Sequence, residues 1–266
     1  MANAAIVVDN NADNGSVIAS SQALTMPSSN LLTPHPSERW RSSSSTAFFV
    51  LDKGSAILAD TVALFGLTLG PNATIRLRLS SIDATGAAGD ILDTGILTNG
   101  NVHFDVLYDS FVYQLASPAA YRYVRFDFTD SDAALLPATN FVEAGCILDG
   151  LSESFAYNFS HGGSFQHIDR SRISPTSSGM TLTWNDNTFR RIDLTFEWVK
   201  ALQRYGVIER LDRVKGKTSN VLLMTDTAST NLPRDSIYGL VTDQTPITFG
   251  PVFDLFGKQL RIDERI

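Results

Sequence analysis

Four histidines and one cysteine are the side chains of this 266-residue chain best suited to metal, general-base or nucleophilic chemistry, so their spacing is the first test of what it can do. The histidines stand at positions 35, 103, 161 and 167. His161 and His167, with Asp169 just beyond, form the densest group. Their i, i+6 separation does not match the His-x-x-x-His spacing that places two imidazoles on one helical face for zinc. Gly162-Gly163 leaves the backbone between them loose, and the stretch reads as a polar linker. Ser160-His161-Gly162-Gly163-Ser164 has the glycines of an oxyanion loop, yet no Gly-x-Ser-x-Gly elbow occurs to supply its nucleophile. Cys146 lies in an apolar run with no base beside it and reads as a small buried hydrophobe. With no phosphate loop, paired glycine-rich turn or Cys-x-x-Cys, the chain is not expected to be an enzyme.

Two further groups invite a binding reading. Asp9-Asn10-Asn11-Ala12-Asp13-Asn14-Gly15 gathers the carboxylate and amide oxygens that calcium prefers. Its glycine falls one place late for an EF-hand, and Ser20 stands where the bidentate Glu belongs. A polar turn between edge strands is therefore expected, no cofactor is assigned, and a structural calcium is kept as the candidate exception. Trp40, flanked by Arg39 and Arg41, offers a ring on which a sugar can stack. The competing reading is a buried indole with its N–H satisfied, and that is the expectation. Asn72-Ala73-Thr74 and Asn158-Phe159-Ser160 are glycosylation sequons, relevant only in a eukaryotic secretory pathway.

The elements that must position these residues are strands. Short apolar or alternating runs recur at regular intervals from Ala47 to Leu148, with turn residues between them, as in an all-β sandwich. Ile75, Leu77 and Leu79 alternate with Arg76, Arg78 and Ser80, so one face is buried and one wet. Asp60 to Leu69 is nearly continuous in apolar character, like a strand covered on both faces, with Gly66 marking a bulge or close approach. The pattern breaks after Asp149-Gly150, which divides the chain into a domain over residues 1–150, a linker over 151–164 and a domain over 165–266. In the second domain Gly179 to Trp184 and, after a turn at Asn185-Asp186-Asn187, Arg190 to Trp198 read as two successive strands. Ile192, Leu194, Phe196 and Trp198 are expected on the inner face of the second. Val199, Leu202, Ile208 and Leu211 fall near helical intervals, with Gly216 as the stop, before strands return from Asn220 to Ile262.

Composition sets limits. A hydrophobic share of 43% suits a globular chain, and the single cysteine excludes an intrachain disulfide. No apolar stretch approaches the roughly 20 residues that cross a bilayer, and the first residues lack a basic n-region and long apolar core, so neither membrane insertion nor a leader is expected. Net charge is -7, with residues 1–150 at -8 and 151–266 at +1. An acidic front half lacks the clustered cations that nucleic-acid backbones need.

Two resemblances follow from motif order. Glu38-Arg39-Trp40-Arg41-Ser42, Phe48 to Gly54, Tyr121 to Phe128 and Glu143-Ala144-Gly145 to Gly150 resemble a galactose-binding-like (discoidin-type) jelly roll over a little more than half the chain. Arg190 to Phe196, a short helix, Lys217 to Leu223, Ser236 to Leu240, Thr245-Pro246-Ile247 and a final amphipathic strand resemble the C-terminal part of minor tail and tail-tip proteins of long-tailed bacteriophages. Together they imply a mainly β protein, a jelly-roll sandwich followed by a β-sandwich or barrel-like domain with one short helix. The function implied is that of a structural virion component, a minor tail or baseplate protein assembled in the host cytoplasm. Its partners would be other tail subunits in a homo-oligomeric ring. The mixed charges of Arg191, Asp193 and Glu197 on one strand face mark the expected assembly interface. The alternative from a different class is a carbohydrate-binding module that attaches to a receptor or polysaccharide, with a host surface glycan as partner.

Overall fold

Residues 2–98, 102–103, 106–107, 109–130, 140–175, 177, 180–250 and 252–266 are described by a computed structural model. The protein is mainly β, as expected. Its Cα packing divides it into two compact units: residues 1–154 with 223–236, and 155–222 with 237–266.

In chain order the first unit holds β1 (Ala5–Val7), β2 (Ser16–Ala19), β3 (Trp40–Arg41), β4 (Thr46–Phe65), β5 (Thr74–Ser80), β6 (Leu92–Asp93), β7 (Leu97–Thr98), β8 (Val102–His103), β9 (Val106–Leu107), β10 (Ser110–Thr129), β11 (Glu143–Ala144), β12 (Cys146–Gly150) and β13 (Ser152–Ser154). Its main sheet runs β12-β4-β10-β5-β6, with β2 also on β4 and β7 on β5. Two strands do most of the pairing. β4 runs on through Asp52-Lys53-Gly54 to Phe65, and β10 is one strand from Ser110 to Thr129. Register shifts between Gln114 and Ala119 and between Tyr121 and Tyr123 break the ladder at the bends. Extra residues at a bulge turn a strand without ending it, and sequence alone reads such a bend as a turn.

The inner face is an aromatic cluster: Trp40 meets Phe49 edge-on at 5.6 Å between centroids, and Phe49 lies 5.4 Å from Phe126. Ile75, Leu77 and Leu79 are buried as their alternation predicts, while Arg76 and Arg78 ion-pair with Asp93 and Asp127. Gly66 ends β4 rather than interrupting a strand to Leu69. Its φ of 70° and the carbonyl of Pro36, 2.3 Å from where a Cβ would sit, both require glycine there. A Cβ at Gly145 would lie 2.2 Å from the same carbonyl oxygen. The Glu-x-Gly exit motif therefore has a physical reason: Glu143 binds Arg39 and Arg41 of the opening motif, and Gly145 admits the intervening chain.

The second unit holds β14 (Ser164–Asp169), β15 (Arg172–Pro175), β16 (Thr181–Trp184) and β17 (Thr188–Lys200), followed by α1 (Ala201–Gln203) and two wide helical turns over Arg204–Ile208 and Leu211–Lys215. The chain then runs through β18 (Asn220–Met224) and the short α2 (Leu232–Asp235), with residues 223–236 belonging to the first unit, and returns to the second with β19 (Ser236–Gln244), β20 (Thr248–Phe249) and β21 (Leu255–Glu264). Within the unit β17 is central, paired with β14 on one side and β21 on the other, and β21 also pairs β19. The stretch expected as a linker carries β13, paired with β1 in the first unit, and Phe155, whose ring stacks on Phe196 at 4.0 Å in the second.

Two inward assignments are corrected. A register shift between Phe196 and Val199 buries Val199 and leaves Trp198 41% exposed, because one extra residue inverts the in-out alternation. Leu202 is 84% exposed, since Val199 belongs to β17 and the helical segment begins only at Ala201; Ile208 and Leu211 are buried as expected, together with Val207. Gly216 does stop that segment, at φ 58°, donating its N–H to the Leu211 carbonyl at 2.8 Å. Gly179, the first residue of one expected strand, and residues 104–105 of the run expected as a strand over Val102 to Leu107 lie outside the described residues.

Candidate functional site

The residues singled out for chemistry in the first unit are engaged in its own construction. Trp40 is wholly buried and donates its indole N–H to the Ser21 carbonyl at 2.9 Å, so it is core, as expected, and Arg39 and Arg41 turn to Glu143. In the Asp9–Gly15 loop the amides act as braces. Asn10 accepts from the Asp149 N–H at 2.9 Å and donates to the Ile147 carbonyl at 3.0 Å, and Asn11 donates to the Asp149 carboxylate. Cys146 is buried in β12. His161 lies in the exposed turn before β14 and His167 stands on β14, edge-on to Phe165 at 4.9 Å. Among the described residues no group of three His, Cys, Asp or Glu is arranged to hold a metal ion.

A cluster that sequence reading missed lies at the β4 bulge between Asp52 and Ile57. Lys53 donates to Asp149 at 2.8 Å, with both side chains fully buried, and its ammonium sits 3.7 Å above the Tyr121 ring. The Tyr121 hydroxyl donates to the other Asp149 oxygen at 2.5 Å. Burial lowers the Lys53 pKa even against the pull of Asp149, and raises that of Tyr121 far above the usual phenol range, with the Asp149 charge adding to the effect. Acid, base and hydroxyl are thus assembled, with no side-chain surface of Lys53 or Asp149 exposed. Their role is to tie β4, β10 and β12 together. The only hint in the sequence is Lys53 beside a glycine at the end of an apolar strand.

The expected assembly residues are on β17. Arg191 pairs with Asp263 at 2.6 Å and Asp193 with Arg261 at 2.6 Å, both across to β21, while Glu197 is exposed. Arg191 and Asp193 are thus paired within the chain, and of the three only Glu197 has no ion-pair partner among the described residues.

An open polar site lies at the root of the β15–β16 hairpin. The β14–β17 ladder ends at the pair Asp169 and Thr188, and the next ladder begins at Arg172 opposite Trp184. Between them the chain bends twice, through Arg170-Ser171 and Asn185-Asp186-Asn187, tied by the Asp186 N–H on the Ser171 hydroxyl at 3.0 Å and the Ser171 N–H on Asp169 at 2.7 Å. Arg170, Arg172, Trp184, Asn185 and Asp186 line the resulting pocket of about 370 Å³. That volume lies in the range of roughly 300–1,000 Å³ typical of small-ligand sites. Trp184 is 53% exposed, and neither its indole N–H nor the Arg172 guanidinium has a partner among the described residues. Arg170 stacks on Phe189 at 4.6 Å, which fixes its plane and leaves its edges free. The turn at residues 185–187 was legible in the sequence. The convergence of the two arginines on Trp184 was not, because it depends on the β15–β16 register.

No family model and no curated protein matches the chain. Solved structures do resemble part of it. A Ruminococcus gnavus GH29 fucosidase in complex with fucose matches at 13% identity and a TM-score of 0.42, over 55% of this chain and 27% of that one. A chitosan-binding module from a Paenibacillus chitosanase/glucanase matches at 16% identity and 0.36, over 53% and 98%. The family 32 carbohydrate-binding module of Clostridium perfringens NanJ in complex with galactose matches at 11% and 0.39, over 56% and 99%. The chain thus spans about a quarter of the fucosidase, and no residue role is carried across from any of the three.

Proposed function

We propose that this chain is a non-catalytic glycan-binding protein that works by attachment. The observation that carries the reading is the pocket in which the half-exposed Trp184 ring lies beside Arg172, Asn185 and Asp186. A pyranose presents an apolar C–H face and a rim of hydroxyls. A flat ring flanked by donors and acceptors meets both demands at once, whereas an apolar ligand would leave the guanidinium unsatisfied. In the first unit, by contrast, Trp40, Phe49, Phe126 and Phe128 are core, and Arg76, Arg78 and Arg125 are paired with aspartates. The full chain on a broad glycan array should give a restricted binding pattern that Trp184→Ala removes. An array silent for the unaltered chain, or unchanged by Trp184→Ala, overturns the reading.

A second reading, a structural part of a bacteriophage tail tip, is favoured by one specific observation. Phe165, Ile173, Met180 and Leu182 are all exposed on β14 and the β15–β16 hairpin, a density of bare apolar side chains that assembly with neighbouring subunits would cover. Glu197 on β17 would then be the free charge at that contact. Detection of the chain in purified virions, lost on truncating the hairpin, tests it.

A further inference from the structure

We infer that the ligand of the Trp184 pocket is an acidic saccharide, one whose ring carries a carboxylate, held by Arg172 and Arg170. This rests on the glycan-binding reading of the same pocket and adds to it the charge of the sugar. Arg172 and Trp184 are direct cross-strand partners, so a ring stacked on the indole lies next to the guanidinium. That guanidinium has no carboxylate, carbonyl or ring partner among the described residues. It contrasts with the arginines at 76, 78, 122, 125, 190, 191 and 261, each of which is ion-paired. A planar fork of donors left open beside a stacking surface fits a carboxylate, which accepts two parallel N–H bonds, better than it fits a single hydroxyl.

Asp186 also faces the pocket, and its charge must be counted. Its Oδ1 already accepts the Asn187 N–H at 2.7 Å, and two guanidiniums against one carboxylate leave the lining positive by one. Asp186 and Asn185 are then free to take ring hydroxyls as acceptor and donor. The rest of the protein argues for specificity of the site. At a net charge of -7, the chain as a whole repels an acidic polymer, so attraction to one has to come from a local arrangement.

The test uses the full chain and calorimetric titration with oligogalacturonate, oligomannuronate and sialyllactose, each beside its neutral counterpart. At least one acidic saccharide should bind about tenfold or more tighter than its neutral partner, with affinity falling as salt is raised. Arg172→Gln should remove most of that preference, and Arg172→Lys should retain part of it by keeping the charge without the fork. Because the hairpin is exposed, unchanged circular dichroism should accompany both substitutions. Equal binding of acidic and neutral partners, indifferent to Arg172→Gln but lost in Trp184→Ala, overturns the acidic assignment and leaves the glycan reading standing. No binding of any saccharide by the unaltered chain overturns both.

Discussion

Removing the Asp149 carboxylate should be among the most damaging single changes to the first unit. In Asp149→Ala the Lys53 ammonium keeps its place over the Tyr121 ring but loses its counter-charge, and the Tyr121 hydroxyl and Asn11 amide lose their acceptor together. Breaking a buried ion pair from one side costs about 3–5 kcal/mol, because the remaining charge stays desolvated and unpaired. Lys53→Met should cost less, since Tyr121 and Asn11 still donate to the carboxylate it leaves behind. Replacing both, as Lys53→Met with Asp149→Leu, should return stability to within about 2 kcal/mol of the starting protein, as apolar packing often substitutes for a buried pair without net loss. Two compact units make a single unfolding transition an unsafe assumption. The urea titration should therefore follow the first unit through the buried Trp40, in a background where Trp184 and Trp198 are phenylalanine. The reasoning fails if Asp149→Ala costs under about 1 kcal/mol, or if the double variant is as unstable as the worse single one.

Three further outcomes follow from the same structure. Phe126→Ala should cost about 3–5 kcal/mol, from lost burial and the cavity left between Phe49, Phe111 and Phe128, and a variant of undiminished stability in urea would falsify the inward assignment of β10. Gly145→Ala, whose new Cβ would lie 2.2 Å from the Pro36 carbonyl oxygen, should destabilise the first unit by roughly 1–3 kcal/mol by overpacking; an unaltered denaturation midpoint would show that the Pro36 segment yields freely. Asp90 should titrate at about 2, below its ordinary 3.8, because the Ser80 and Ser81 hydroxyls donate to its charged form. A lowered carboxylate pKa means that its stabilising contribution is present above pH 3.8 and is lost as pH falls through about 2. Carbon-13 carboxyl NMR should show that value and, in a Ser80→Ala, Ser81→Ala variant, a return towards the ordinary one; a normal titration in the parent chain counts against those hydrogen bonds.

What the sequence determined by itself was strand content and the inward face of the regular strands. Alternation over Ile75, Leu77 and Leu79 has only one solution when one side of a sheet is wet, and an aromatic run such as Tyr121 to Phe128 has nowhere to go but the core. The opening and closing motifs around Trp40 and Glu143 were legible only as a resemblance, and the structure supplied their reason in the Arg39 and Arg41 pairing with Glu143 and the steric demand for glycine at 145. Only tertiary structure decided the rest. The bulge at Phe196 to Val199 reversed the exposure of Trp198, because a one-residue insertion has no signature in composition yet inverts every residue beyond it. Lys53, Tyr121 and Asp149 come from three strands, and the pocket from both arms of one hairpin. Such convergence is set by register and by where strands bend, which depend on contacts between residues far apart in the chain and not on local pattern.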